Sequence, residues 1–154
     1  MTQLPVSVHF DLPEGWEPVA TEDAAFAAIR SDTAGIMLTG GVWPRSVPLR
    51  TVAAEAAQDL REIAAEVTVL SGDDIGADGF VQELRFSTGD ETFVRSEVYL
   101  AMGEGAEQRA VVRAVLTCTP GEFEAVAPDF REFVGSLGPD DQVLSAGGGG
   151  RSRR

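Results

Sequence analysis

Three long segments between residues 80 and 118 alternate apolar and polar side chains, and they constrain the fold of this chain more than any other feature. The segments cover residues 80–87, 93–102 and 108–118, and a period of two residues is typical of β-strands with one buried face. Short turn-forming segments at 88–91 and 103–105 separate them, as in β-hairpins. The pattern therefore predicts a three-stranded antiparallel meander. Its even-numbered side chains are expected in the core, and its odd-numbered side chains form a charged face.

Two amphipathic segments predict helices before and after this meander. Residues 48–65 place apolar side chains at intervals of three and four. A closing helix is expected over 121–137, where Thr119 and Glu122 have the spacing of a capping box. Pro128 lies inside this segment and removes a backbone donor, so a kink or two short helices in series is expected.

The rest of the chain predicts short strands and a tail. The shorter strands are expected at residues 7–12, 24–30, 35–39 and 67–69. The pair Gly40 and Gly41 is expected to end the third of these, and the polar segment 71–74 is expected to form a loop. Residues 1–138 then form one α+β domain, an antiparallel sheet flanked by helices, because 154 residues accommodate a single core. Residues 139–154 contain four successive glycines and are expected to be disordered.

The composition excludes several classes of function. The chain has 12 basic and 25 acidic residues and a net charge of -13, and every basic residue is an arginine. Such a surface repels phosphate backbones and anionic lipids, so neither nucleic acid nor a membrane is the expected partner. A chain without lysine has no Schiff-base or phosphate-loop lysine chemistry. One cysteine and one histidine are too few for a disulfide framework or a Cys/His metal site, so no metal or cofactor is expected.

The N-terminal segment predicts the compartment. It has neither the basic start nor the apolar run of a signal peptide. No apolar stretch approaches the roughly 18 residues that a membrane-spanning helix needs. The expectation is a cytoplasmic protein without membrane insertion.

Two short motifs support a resemblance to a known family. Residues 10–16 read Phe-Asp-Leu-Pro-Glu-Gly-Trp, and residues 130–137 read Phe-Arg-Glu-Phe-Val-Gly-Ser-Leu. Together with the order of the predicted elements, these motifs resemble the PsbP-like superfamily over about residues 5–138. The likeness is strongest to its actinobacterial LpqN/LpqT branch, here as a cytosolic member without a lipidation signal. The resemblance implies an α/β/α sandwich and a non-enzymatic assembly or docking role, and it carries over no catalytic residue.

Charged side chains on the odd-numbered face of the meander form the candidate site. The predicted partner-binding residues are Arg85, Arg95, Glu97, Arg109 and Arg113. One interpretation is a ladder of cross-strand ion pairs on a solvated face, each contributing about 0.2–1 kcal/mol. The other is a docking surface for a carboxylate or an acidic protein partner, because guanidinium groups bind carboxylates bidentately.

The single histidine and the single cysteine are the candidate reactive side chains. His9 has no second histidine or cysteine near it in the sequence, so metal binding is not expected. A hydrolase would require His9 beside a serine and an acid. Cys118 has the core parity of its strand and is expected to be buried.

These observations predict a protein that is not an enzyme. The favoured function is a non-enzymatic protein-binding or assembly module, which the resemblance links to an actinobacterial secretion or envelope system. The alternative is a small-molecule carrier with a cavity between the sheet and the helix over 49–63. A hydrolase that uses His9 ranks third.

Overall fold

A seven-stranded antiparallel sheet forms the centre of the protein. The computed structural model describes residues 4–105 and 107–140. The elements in chain order are β1 (Val8–His9), β2 (Glu17–Pro18), β3 (Phe26–Ile29), β4 (Gly35–Pro44), α1 (Leu49–Arg61), β5 (Ala65–Ile75), β6 (Gly79–Thr88), β7 (Glu91–Glu104), β8 (Gln108–Cys118), a 3₁₀ turn (Pro120–Glu122), α2 (Phe123–Ser136) and β9 (Gly138–Pro139). The strand order in the large sheet is β2-β3-β4-β8-β7-β6-β5, and β1 pairs with β9 separately.

The two helices cover opposite faces of the sheet. On one face, α1 buries Leu49, Val52 and Ala53 against side chains of β6, β7 and β8. On the other face, α2 buries Phe130 and Phe133 against the apolar side chains of β4 and β8. Each helix therefore covers apolar sheet surface that water would otherwise contact. The architecture is the α+β sandwich predicted from the sequence.

The meander is confirmed, but the predicted common parity of its three strands is wrong. The turn between β6 and β7 holds two residues, Gly89 and Asp90, so even-numbered residues of β6 pair with odd-numbered residues of β7, as in Gln82 with Glu97. Residues of like parity pair between β7 and β8 from Val94 to Ala101, before a register shift. Because side chains alternate across a strand, this register places Arg85 on the face opposite to Glu97.

The third predicted strand does not end at Gly40 and Gly41, because β4 continues to Pro44. A Cβ atom on Gly40 would lie 2.7 Å from the Val111 carbonyl oxygen and 2.9 Å from the Pro5 ring. A Cβ atom on Gly41 would lie 3.0 Å from the Trp43 ring. The two glycines thus permit close packing within a strand instead of ending it.

The segment 71–74 is also not a loop. It belongs to β5, whose Ser71 pairs with Glu83 and whose Asp74 pairs with Phe80. Polar residues are accommodated because β5 is an edge strand, and nearly all of its side chains are exposed. Two register shifts and a positive φ at Glu66 interrupt its regular pairing, as is common at sheet edges.

Both helices differ in detail from the prediction. The first ends at Arg61 instead of residue 65, and Ile63, part of the predicted apolar stripe, is 80% exposed. The capping box of Thr119 and Glu122 is confirmed, at the 3₁₀ turn that leads into α2. Pro128 lies within one continuous α2 and does not divide it into two helices.

The ends of the described chain lie together. The predicted strand 7–12 is reduced to β1, and 24–30 is reduced to β3. Pro139 pairs with Val8, and the Asp140 N–H donates to the Ser7 carbonyl at 2.9 Å. The remainder of the predicted tail, 141–154, lies outside the described residues. Within the described part of the chain, neither helix is long and apolar enough to cross a membrane.

Candidate functional site

A buried carboxylate lies at the centre of the predicted site. Glu97 in β7 is 1% exposed and accepts three short hydrogen bonds. The Tyr99 hydroxyl and the Gln82 amide donate to its Oε1 atom at 2.6 Å and 2.8 Å. The Arg113 guanidinium donates to its Oε2 atom at 2.6 Å. These four residues, together with Arg95, are called the Glu97 cluster below.

The Glu97 cluster also fastens α1 to the sheet. The Gln82 Nε2 atom donates to the carbonyl oxygen of Ala53, within α1, at 2.9 Å as well as to Glu97. Gln82 is only 4% exposed, and both N–H groups of its amide are bonded to acceptors within the protein. A polar contact of this kind fixes the position of the helix on an otherwise apolar surface.

Two arginines share the single carboxylate. The Arg95 Nη1 atom lies 3.6 Å from the Glu97 Oε2 atom, and the Arg95 guanidinium lies 5.3 Å from the centre of the Phe86 ring. The Arg113 guanidinium lies 5.8 Å from the centre of the Tyr99 ring. Both guanidinium groups thus contact aromatic rings, and these contacts stabilise positive charges that water only partly solvates. Their side chains are 18% and 25% exposed, so the predicted solvated ladder is instead a mostly buried cluster beneath α1.

Electrostatics keep Glu97 ionised. Burial alone would raise the pKa of its carboxyl group, but the charge of Arg113 and the hydrogen bonds from Tyr99 and Gln82 outweigh burial, and the pKa lies below its ordinary value. Burial raises the pKa of the Tyr99 phenol, and the nearby Glu97 charge acts in the same direction. Glu97 is therefore a fixed anion and Tyr99 a fixed neutral donor at physiological pH, an arrangement suited to holding structure.

The structure separates the five predicted site residues into three groups. Arg95, Glu97 and Arg113 lie together in the Glu97 cluster. Arg109 lies further along β8, where its Nη2 atom donates to the Val47 carbonyl at 2.7 Å. Arg85 is exposed on the opposite face of the sheet. That these residues contact a partner stays a prediction.

The two single residues have structural contacts. The His9 Nδ1 atom lies 3.0 Å from the Asp140 Oδ1 atom, across the β1–β9 pair, and the His9 ring packs against Gly138. Within the described residues, no serine hydroxyl is hydrogen-bonded to this ring. Cys118 is buried as expected, and burial, with the Glu122 charge, raises the pKa of its thiol to about 11.

An apolar groove between α2 and the sheet was not predicted from the sequence. It has a volume of about 340 Å³ and is partly open to solvent. Its floor is formed by Val81, Val98 and Leu116 and its wall by α2, including Phe130 and Val134. The residues that complete the lining are Ile75, Glu83, Ser96, Phe123, Ala127, Arg131 and Gly135. The only sequence signal was the set of apolar residues at alternate positions of β6 and β7, and the register decides that Val81 and Val98 share a face.

A smaller pocket lies where the carrier hypothesis placed its cavity. It measures about 220 Å³ and lies between α1 and the sheet, against Val52, Ala56 and Trp43. The more apolar and more voluminous space is therefore the groove on the α2 side of the sheet.

Comparisons with known proteins identify similar folds. No protein-family model matches the sequence, and no curated protein matches it. LpqN of Mycobacterium tuberculosis, which is involved in cell envelope biogenesis, superposes with a TM-score of 0.64 at 11% identity, covering 87% of this chain and 84% of that chain. The cyanobacterial PsbP of Synechocystis sp. PCC 6803 superposes with a TM-score of 0.60 at 12% identity, covering 90% of both chains. The Ran-binding protein Mog1p of Saccharomyces cerevisiae also has a TM-score of 0.60, at 11% identity, covering 92% of this chain and 99% of that chain.

Proposed function

From the PsbP-like fold that these superpositions show, we propose that this chain is a non-enzymatic accessory module that binds another protein in the apolar groove beside α2. The proposal includes a cytoplasmic location and a role in an actinobacterial secretion or envelope system. The observation that carries it is the groove itself, an open apolar surface in a chain whose net charge is -13.

The structural neighbours support a binding role. Mog1p is described as Ran-binding and LpqN as involved in cell envelope biogenesis, and both share the fold of this chain along most of its length. Their functions belong to those proteins, and the fold alone does not assign a partner here. The support lies in the common architecture, which in Mog1p belongs to a protein described as Ran-binding.

The dimensions of the groove define the partner's contact. A volume of about 340 Å³ accommodates one or two apolar side chains of a partner segment. Burial of one leucine or phenylalanine side chain contributes roughly 1.5–3 kcal/mol. Glu83 and Arg131 line the same groove with opposite charges, so they would orient polar groups that flank the apolar anchor. Arg85 follows Glu83 on the same face of β6 and extends this rim.

Gly135 provides a direct test of the groove. A Cβ atom added at Gly135, in the last turns of α2, would meet no atom of another segment within 4 Å, so a side chain at this position starts in open space beside the groove. Gly135→Phe is expected to occupy the groove and weaken partner binding at least about tenfold, which corresponds to 1.4 kcal/mol. Gly135→Ala is the matched control, since it makes the same helix-favouring change with only a methyl group.

The experiment has two steps. Full-length protein and the two variants capture partners from native lysate, and the partner identified by mass spectrometry is then produced pure and titrated against each. Weaker binding by Gly135→Phe with unchanged binding by Gly135→Ala supports the groove. Equal affinities for all three proteins would reject it as the contact surface. Arg85→Glu in the same assay tests the predicted arginine contact, and an unchanged affinity would remove Arg85 from the interface.

A small-molecule carrier is the second candidate, because the volume of the same groove reaches the range of roughly 300–1,000 Å³ found for ligand pockets. This hypothesis predicts that an apolar compound copurifies with the protein and is visible by native mass spectrometry. Gly135→Phe should abolish its retention. Recovery of a stoichiometric apolar compound together with no specific protein partner would favour the carrier.

A further inference from the structure

The large sheet has two edges, and the fold protects them unequally. At one edge, β2 is two residues long and ends in a proline, which has no N–H group to donate. At the other edge, β5 is 11 residues long and contains neither proline nor lysine. In the part of the chain that the structure describes, no strand pairs with the outer side of β5. Short length, proline and lysine are the usual protection against an added strand, so β5 is the edge that is open to one.

One part of β5 is regular enough to pair with a further strand. Two register shifts interrupt its pairing with β6 before Ser71. Residues 71–75 then pair with β6 residue for residue, and all of them are exposed. Gly72 has no side chain, so its exposure means that water reaches the backbone itself. In a strand paired on one side only, every second residue directs its N–H and C=O groups outward. The outer side of residues 71–75 is called the β5 edge below.

The charges of this segment select the kind of strand that it accepts. Its charged residues are Asp73 and Asp74, and both are acidic. Asp73 pairs with Val81, so it lies on the side of the sheet that carries the apolar groove, and it forms no hydrogen bond or ion pair with the described residues. Asp74 lies on the other side, where three arginines line the same cavity and offset its charge. A lysine or arginine opposite Asp73 would therefore stabilise an added strand.

A second copy of this chain does not fit the β5 edge. Two paired copies would bring the carboxylates of both β5 strands together, and each copy has a net charge of -13. The edge also offers an apolar contact beside the charged one, because Ile75 is 45% exposed and lines the groove. The surface thus fits an extended polypeptide of another protein that carries basic and apolar side chains.

We propose that the β5 edge binds an extended segment of the partner protein, which adds a strand to the sheet and places a basic side chain opposite Asp73. Main-chain hydrogen bonds provide the affinity in such strand addition, and alternate side chains provide the specificity. Because Ile75 belongs both to β5 and to the lining of the groove, the same segment reaches the groove from the edge. The proposal rests on the proposed protein-binding function, but its test does not use the partner.

The test is a titration of the ¹⁵N-labelled full-length protein with a capped heptapeptide that alternates valine and lysine. The amide signals of residues 71–75 should shift and saturate, with a Kd on the order of 0.1–1 mM, as for a few backbone hydrogen bonds and one ion pair. Hydrogen exchange should slow at alternate amides of the segment, because only those amides donate to the added strand. A shift that never saturates, or one spread evenly over the acidic surface, would overturn the proposal.

Two control peptides separate strand addition from charge attraction. A peptide that alternates valine and glutamate should bind at least about tenfold more weakly, because it places like charges opposite each other. The valine–lysine peptide with a methyl group on every backbone nitrogen keeps its side chains and charge but donates no backbone hydrogen bond, so it should also bind at least about tenfold more weakly. Equal binding by the methylated peptide would show that charge alone holds the peptide and would reject strand addition.

Asp73→Lys should weaken binding of the valine–lysine peptide about tenfold, since an attraction becomes a repulsion. The side chain is exposed, so the variant should fold, and unchanged amide signals in the other strands verify this. Asp90→Lys is the matched control, since it makes the same change of charge in the exposed turn between β6 and β7 and should leave the affinity unchanged. Equal weakening by both variants would indicate a general charge effect and contradict the site.

Dilution of the protein without peptide tests the second copy as the occupant. Signals of residues 71–75 that shift with protein concentration would assign the β5 edge to a second copy and overturn the proposal. Signals independent of concentration support a different protein as the occupant. Failure of the peptide titrations would leave the Gly135→Phe test of the groove unaffected, because that test uses the captured partner. The failures of the two proposals are therefore distinguishable.

Discussion

Glu97 is the residue on which the position of α1 against the sheet depends. Its carboxylate joins side chains from β6, β7 and β8, and Gln82 continues the network to the backbone of α1. A buried charge is stable only when its hydrogen bonds are satisfied, and removal of one partner leaves the others desolvated and unpaired. The Glu97 cluster therefore contributes more to the specificity of the helix–sheet contact than any exposed ion pair of the same residues would.

Glu97→Gln tests this at the residue scale. The substitution keeps the size of the side chain but leaves Arg113 without its counterion, so the free energy of unfolding should fall by about 3 kcal/mol. The measurement is urea unfolding at neutral pH. Glu83→Gln, on the opposite face of the neighbouring strand, is the control and should change the free energy of unfolding by at most about 0.5 kcal/mol. Similar effects of the two substitutions would contradict the special role of Glu97.

The start of α2 shows how one element is joined to others. The Glu122 Oε1 atom accepts hydrogen bonds from the Thr119 N–H and hydroxyl groups at 3.0 Å and 2.9 Å and from the Thr33 hydroxyl at 2.8 Å. Its Oε2 atom accepts one from the Ser31 hydroxyl at 2.9 Å. The capping box thus not only begins the helix but also holds the turn between β3 and β4 against it.

These hydrogen bonds predict a pH dependence. The Thr119 N–H, with the Thr33, Ser31 and Thr119 hydroxyls, lowers the pKa of Glu122 from 4.5 to about 2. A carboxyl group whose pKa is lower in the folded state stabilises the fold above pH 4.5, and this contribution is lost as the pH falls toward 2. Glu122→Gln should therefore reduce the loss of unfolding free energy between pH 7 and pH 3, measured by urea unfolding. An identical loss in the variant and the wild type would show that Glu122 does not contribute to acid sensitivity.

Pro128 predicts a gain in stability within α2. Proline lacks the N–H group of a helical hydrogen bond, and its side chain is exposed here, so its replacement creates no cavity. Pro128→Ala should raise the free energy of unfolding by roughly 1–3 kcal/mol, the helix-propensity gain less the entropy that proline removes from the unfolded chain. Thermal unfolding measures the effect. A lower melting temperature would mean that the proline is needed for the path of α2.

At the scale of the whole molecule, the sheet is covered unequally. The edge strand β5 is exposed along nearly all of its length, and the groove opens where α2 ends its cover of β6 and β7. The two ends of the described chain close the other side through the β1–β9 pair and the contact of His9 with Asp140. The central strands carry both the core and part of the groove, because Val98 and Leu116 belong to the buried core and also form the groove floor.

The position of the domain boundary follows from these contacts. A chain that ends at Asp140 keeps the β1–β9 pair and should have the same free energy of unfolding as the full chain, within about 0.5 kcal/mol. A chain that ends at Leu137 loses the pair and should be destabilised by about 1 kcal/mol or more. Urea unfolding of the two shortened proteins beside the full chain decides the point. A marked loss of stability in the longer one would assign a structural role to residues beyond Asp140.

The elements with a strong local pattern were predicted well. The last strand of the meander was predicted with the bounds that the structure shows, and the capping box was identified from two residues. The predictions failed where residue types that often mark a turn or loop are explained instead by packing or by their position in the sheet. Gly40 and Gly41 indicated a strand end. In the structure, the absence of a side chain at these positions leaves room for Pro5 and for the Trp43 ring. The polar residues 71–74 indicated a loop, whereas they occupy an edge strand.

The sequence predicted which types of residue form the candidate site, but not how deeply they are buried or which of them share a face. The sequence identified arginines around Glu97, but a solvated face was expected and Arg85 was included. Placing Arg85 requires the pairing register across the turn at Gly89, and the burial of Glu97 requires the position of α1. Neither is contained in the alternation of a single strand.

The amino-acid sequence was sufficient to locate both helices and the long strands of the meander, because side-chain periodicity and capping act between residues only a few positions apart. It also determined the acidic character of the chain and the lack of lysine chemistry. The tertiary fold sets which residues share a face, which charge is buried, and where the apolar groove opens. These features arise from contacts between segments far apart in the chain, and a shift of a single residue in pairing register would reverse them.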